Sequence, residues 1–185
     1  EKYIFILNFE EVKKMFVRYN RELAVKYATD WAQDRNPNYK DYEKWGGDCT
    51  NFVSQCLHEG GIPFDHHGND ILKQWYWYSD MNRTPTWTAA EPFYKYITKN
   101  NTKDTQNFGI YAVEVSYNEL QIGDIVQLIY ENDLAYHNMI ITDVILDGGY
   151  LIDYLVCQHT YDLYNFPLSQ KQGEKRYIKI LGYYE

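Results

Sequence analysis

Between about Phe9 and Gln33, Val12, Phe16, Tyr19, Leu23, Tyr27 and Trp31 recur at spacings of three and four, the period of a helix with one buried face. This spacing predicts one long helix or two successive ones. Asn36-Pro37 closes it, because a residue before proline is driven out of helical backbone. A shorter stripe, Phe52, Val53, Cys56 and Leu57, follows Gly46-Gly47-Asp48-Cys49 and stops at Gly60-Gly61, with Pro63 beyond. Asp48 is expected to supply an N-cap carboxylate there. Ile4 to Leu7 is an apolar run fit for an edge strand.

From about Pro63 to Phe108 the pattern is irregular, with a helix expected from about Ala89 to Thr98. Beyond it the period changes. Tyr111 to Val115, Asp124 to Tyr130, His137 to Leu146, Tyr150 to His159 and Ile178 to Tyr183 are rich in β-branched and aromatic residues and bounded by Asn, Asp and Gly. Asp147-Gly148-Gly149 reads as a hairpin turn. Helices first and an antiparallel meander afterwards describe an α+β fold, N-terminal helices packed on an antiparallel sheet, in a single domain spanning residues 1–185.

Composition narrows the partners. The chain is 45% hydrophobic and 24% charged, enough for a core without disulfide staples. No run approaches the ~18 apolar residues of a membrane span. A net charge of -8 argues against nucleic acid, whose phosphates attract clustered Lys and Arg. The 20 tyrosines suit a core rim, with some of them facing a peptide or carbohydrate groove. Glu1 opens the sequence without a basic and apolar leader, so the chain is either cytoplasmic or has lost a signal segment. A monomer is expected.

Metal-ligand spacings are absent, and Cys49 and Cys56 sit two turns apart, roughly 10 Å, too far for a disulfide. Asp65, His66, His67 and Asp70 include ligand types, but adjacent histidines in extended backbone point opposite ways. No metal and no cofactor are expected. Cys56 and Cys157 are assigned to the core.

Cys49 is the residue with chemistry. A helix start offers unpaired N–H groups and partial positive charge, which favour thiolate over thiol and lower its pKa from about 8.5. The same N–H groups can hold the oxyanion formed when a thiol attacks an amide. His137, opening a strand, is the best base of the five histidines. The hairpin returns the end of the next strand beside it, so the group orienting His137 falls at Gln158 or His159, with Asp162 competing; His159 is favoured. Asp48, Asn51, Gln55, Trp75 and Trp77 are candidates to contact substrate.

The stretch GGDCTNFVSQCLHEGGIP, preceded by YNRELAVKYATDWAQDRNPNY and followed by LQIGDIVQL, HNMIITDV and CQHTYD, resembles the bacterial putative amidase domain family. That family is placed within the papain-like superfamily, beside the NlpC/P60 and CHAP peptidases. The resemblance implies a papain-like fold, with Cys49 as nucleophile, His137 as base and His159 as the third polar residue. It also implies amide bonds of peptidoglycan peptides as substrate, and a secreted or cell-wall-associated protein. A catalytically silent module binding cell wall or peptide on the same fold is the alternative. Acyl transfer to an amine by the same residues is a third.

Overall fold

The computed structural model describes residues 14–99 and 107–185. The expected run Ile4 to Leu7, and Val12, lie outside them. Phe16–Val17 forms a short strand, β1, and α1 spans Arg21–Trp31. Asn20 caps α1 by accepting the Leu23 N–H, so the helix starts later than the spacing predicts. Phe16 and Val17 instead pair with Tyr184 and Tyr183 at the chain's other end. The helix also ends at Trp31, ahead of Asn36-Pro37.

The second helix matches its prediction. α2 spans Cys49–Glu59, and every residue from Cys49 to Leu57 is buried. Phe52, Val53, Cys56 and Leu57 have no exposed surface, and burial of such side chains stabilises by about 1.5–3 kcal/mol each. After α2 come a small hairpin, β2 (Trp77–Ser79) with β3 (Asn82–Arg83), then α3 (Pro85–Thr88) and α4 (Ala90–Ile97). None of the described helices is long and apolar enough to cross a membrane.

The second half supplies a curled antiparallel sheet: β4 (Gly109–Glu114), β5 (Ile125–Ile129), β6 (Ala135–Asp147), β7 (Tyr150–Gln158), β8 (Leu163–Pro167) and β9 (Glu174–Tyr184). It is not a simple meander. β9 returns to the middle, pairing with β5, β4 and β1, while β5, β6, β7 and β8 follow in order. Burial drives that return: Ile178 and Ile180 of β9 are fully buried. One face of the sheet packs on the helices through Ile125, Ile140 and Cys157, against Phe52 and Val53. The other face buries Val126, Met139, Ile141 and Val156 in a second cluster.

An ion pair locks α1 to the sheet. Arg21 Nη1 meets Asp124 Oδ1 at 2.6 Å and the Ile122 carbonyl at 2.8 Å, and Asp124 has no exposed surface. Removing either partner would strand a buried charge, which is far costlier than the pair is worth.

Candidate active site

Cys49 is the first residue of α2, and Asp48 occupies the cap position before it. Asp48 does not cap. Its carboxylate accepts no backbone N–H from α2. Instead Oδ1 accepts the Tyr42 N–H and the Asn51 amide, both at 2.9 Å, and Oδ2 meets His159 Nδ1 at 2.6 Å. The opening turn of α2 therefore keeps its N–H groups beside the thiol.

One hydrogen bond seats this helix end on the sheet, and a second fixes its donor. Asn138 of β6 donates from Nδ2 to Thr50 Oγ1 at 2.9 Å, and Gln127 of β5 donates to Asn138 Oδ1 at 2.9 Å. The Asn138 backbone N–H is directed at the Cys49 sulfur. That N–H belongs to the peptide joining His137 to Asn138, so the backbone of the candidate base meets the sulfur, while among the described residues the His137 ring makes no hydrogen bond to it. The ladder between β6 and β7 ends at Ile140 and Cys157, and the helix start meets the sheet where those strands part.

Strand alternation then sorts the candidates for the third residue. Ile140 and Cys157 are paired and face the helices, so Asn138 and His159 fall on that face and His137 and Gln158 on the other. His159 stacks on Phe52 of α2 with ring centroids 4.0 Å apart. Its nitrogens are both committed, Nδ1 to Asp48 and Nε2 to the Trp31 carbonyl at 2.8 Å. It is turned away from His137. Gln158 is turned toward it: Nε2 donates to the carbonyls of Thr160 and Tyr161 at 2.8 and 3.0 Å, which aims Oε1 the other way. His137 Nε2 and Gln158 Oε1 are both buried without a hydrogen-bond partner, close enough to influence each other but short of bonding geometry. Asp162 forms a two-pronged pair with Arg35, each contact 2.9 Å.

Burial overrides the helix start in setting charge. It pushes the Cys49 thiol up from its ordinary value, with the Asn138 N–H and Thr50 pulling back only partly and the charge of Asp48 adding to the rise. His137 is pushed down from 6.5 to about 4, chiefly by burial; Gln158 opposes this and Lys171 reinforces it. The expected lowered thiol is not what this environment produces. The pair rests as neutral thiol and neutral imidazole.

Cys49 and Thr50 line a cleft of about 450 Å³, along with Tyr42, Trp45, Arg83 and Tyr136. The residues expected to meet substrate are mostly elsewhere. Asn51 is buried, giving its amide to the Lys40 carbonyl and Asp48 and accepting from Trp87. Gln55 is buried against the Tyr27 hydroxyl, and Trp75 has no exposed surface. Trp77 is half-buried, donating to Tyr42 Oη at 3.0 Å from behind the cleft wall. The residue types suggested a groove, but their positions on buried faces put them in the core. No group of His, Cys, Asp and Glu able to hold a metal occurs among the described residues.

A family model described as "Putative amidase domain" matches residues 18–181. The chain belongs to this family. Two curated proteins of Bacillus subtilis (strain 168) are similar to it: the uncharacterized protein YhbB, 34% identical over 157 residues, and the uncharacterized protein YjcM, 30% identical over 170. Those alignments cover 83% and 88% of this chain but only 46% and 37% of the relatives, so the chain spans less than half of either. No solved structure matches. The matched span of the amidase family contains Cys49, His137 and Gln158. It also contains Tyr42, Trp45, Arg83 and Tyr136, lining residues that the sequence patterns did not single out; only the adjacency of Trp45 to Gly46-Gly47 hinted at one of them.

Proposed function

We propose that this amidase-family chain is a cysteine hydrolase of peptide amide bonds on a papain-like arrangement, with Cys49 as nucleophile, His137 as base and Gln158 as the residue that orients it. The observation that carries this is a thiol on the uncapped first turn of a buried helix, lying against the His137–Asn138 peptide and opening into a cleft.

The Gln158 amide, held by two carbonyls, presents Oε1 toward His137 Nε2. Closing of Nε2–H onto that oxygen when substrate binds leaves Nδ1 bare. To take the thiol proton, Nδ1 must reach the sulfur from the other face of the sheet, through the gap where β6 and β7 part, and because thiol and imidazole are both neutral at rest that transfer accompanies attack on the amide carbon. The N–H of Cys49 and its neighbours in the open turn hold the oxyanion. His137 returns the proton to the departing amine, leaving a thioester. Water then attacks with His137 again as base, releasing the acid and restoring the thiol.

The amides of cell-wall peptides are the proposed substrate class, acted on outside the cytoplasm. The family description supports hydrolysis, and the exposed aromatic rim of Trp45 and Tyr136 suits a peptide chain. Digestion of purified cell-wall material by wild type and Cys49→Ala tests it. New amines should appear with wild type alone. Release by Cys49→Ala would overturn the mechanism, and no release by either would favour the binding-module alternative.

A further inference from the structure

The same cleft contains a cation held in place yet incompletely partnered. Arg83 ends β3 opposite Trp77 of β2, and both donate to one atom, Tyr42 Oη, Arg83 from Nε at 2.7 Å and Trp77 from Nε1 at 3.0 Å. The Tyr42 hydroxyl in turn bonds Asp80, whose carboxylate lies 3.7 Å from the same Arg83 Nε. The guanidinium also lies over the Tyr42 ring at 4.8 Å. One edge of the fork is thus spent on fixing the side chain. Among the described residues the two terminal nitrogens have no hydrogen-bond partner.

Tyr42 links this cation to the nucleophile, since its backbone N–H holds Asp48, the residue before Cys49. Tyr42, Trp45 and Arg83 line both the Cys49 cleft and a smaller one beside it that also has Lys40 in its wall. The acidic group of the main cleft, Glu91, is already occupied: it accepts the Ala135 N–H at 2.9 Å and pairs with Lys95 at 3.2 Å. In a chain of net charge -8, the open hydrogen-bonding capacity of this cleft is cationic.

We infer that Arg83 is a carboxylate anchor, and that the substrate carries a free carboxylate near the amide presented to Cys49. A rigid fork with two parallel N–H donors matches a carboxylate and nothing neutral of that size. This rests on the reading of Cys49 as nucleophile, but its binding arm can be tested without turnover.

Isothermal titration of Cys49→Ala with N-acetyl-glycylglycine, N-acetyl-triglycine and their C-terminal carboxamides provides the test. At least one acid should bind about ten- to a hundredfold more tightly than its carboxamide, the range of a charge-assisted pair. Arg83→Gln in the same background should erase that preference, and Arg83→Lys should keep only part of it. Acids and carboxamides binding alike, neither binding at millimolar concentration, or a preference that survives Arg83→Gln would each overturn the anchor. If the acids bind through Arg83 while wild type cleaves no amide, the hydrolytic reading falls and the anchor stands. Cleavage that ignores the carboxylate would do the reverse.

Discussion

Replacing His159 separates a structural role from a catalytic one. Its ring sits between two acceptors, Asp48 Oδ2 at 2.6 Å and the Trp31 carbonyl at 2.8 Å, with both His159 and Asp48 1% exposed. Alanine removes both ring contacts. Arg35 Nε, 3.6 Å from Asp48 Oδ2, is then the nearest compensation for a sealed carboxylate. Breaking a buried pair this way costs about 3–5 kcal/mol. In a chain of 185 residues that lowers the melting temperature by about 6–20 °C, at roughly 2–4 °C per kcal/mol. Asp48→Asn is the control. Its amide keeps a hydrogen-bonding group against Nδ1 while its oxygen still accepts from Tyr42 and Asn51, so its loss should stay near 1–2 kcal/mol. Differential scanning calorimetry reads both. A His159→Ala protein that melts with wild type, yet loses amide hydrolysis as fully as His137→Ala, would refute this and return His159 to the catalytic set.

Gln158→Leu should lower kcat/KM by about tenfold to a hundredfold, part of the ~10²–10⁴ that a positioned base supplies, mostly through kcat; unchanged kinetics would remove Gln158 from the site. The pH profile follows from His137, whose value falls from 6.5 to about 4. As the base it must be unprotonated, so the acid limb of kcat/KM belongs near 4 rather than 6.5, and a limb at 6.5 would show the imidazole to be solvated. Stability has the matching sign: between about 6.5 and 4 the unfolded chain binds a proton that the fold rejects, so up to about 3 kcal/mol is lost as pH falls through that window, measurable by urea titration. Alkylation of Cys49 by iodoacetamide should climb only at or above the ordinary thiol range, because burial raises that thiol.

Legibility in the sequence tracked how local the determinants were. α2 was readable end to end because its stripe, Asp48 position and terminal glycines all lie within one short segment. β5, β6 and β7 were readable for the same reason, as was the β6–β7 turn, where Gly148 and Gly149 take positive φ. Phe16 was misassigned to a helix because its spacing to Tyr19 is helical, while its actual partner, Tyr184, is 168 positions away. The β2–β3 hairpin is too short to show a period, and β8, though as long as β5, carries Asn165 and ends at Pro167, residues that read as turn. Which of Gln158 and His159 shares a face with His137 turned on register at the point where a ladder ends, a quantity set by pairing at Ile140 and Cys157. Arg83 carried no local signal, since what makes it notable is Tyr42, 41 residues earlier.

The diversion of Asp48 connects these features. An aspartate at a helix cap ordinarily takes an N–H of the first turn, worth about 1 kcal/mol. Here the carboxylate instead serves Tyr42, Asn51 and His159, while the Asp48 N–H donates to Thr160 Oγ1 at 2.7 Å. Thr160 follows the strand that bears Gln158, and the Thr160 carbonyl is one of the two that orient the Gln158 amide. The cap residue is thereby tied to the loop that sets the amide beside His137, and the forgone cap keeps the carboxylate off the first-turn N–H groups, of which that of Thr50 is directed at the sulfur. Because His159 holds Asp48 in that turned position, its ring bears on the helix end through the carboxylate, and it makes no contact with the imidazole of His137 on the opposite face.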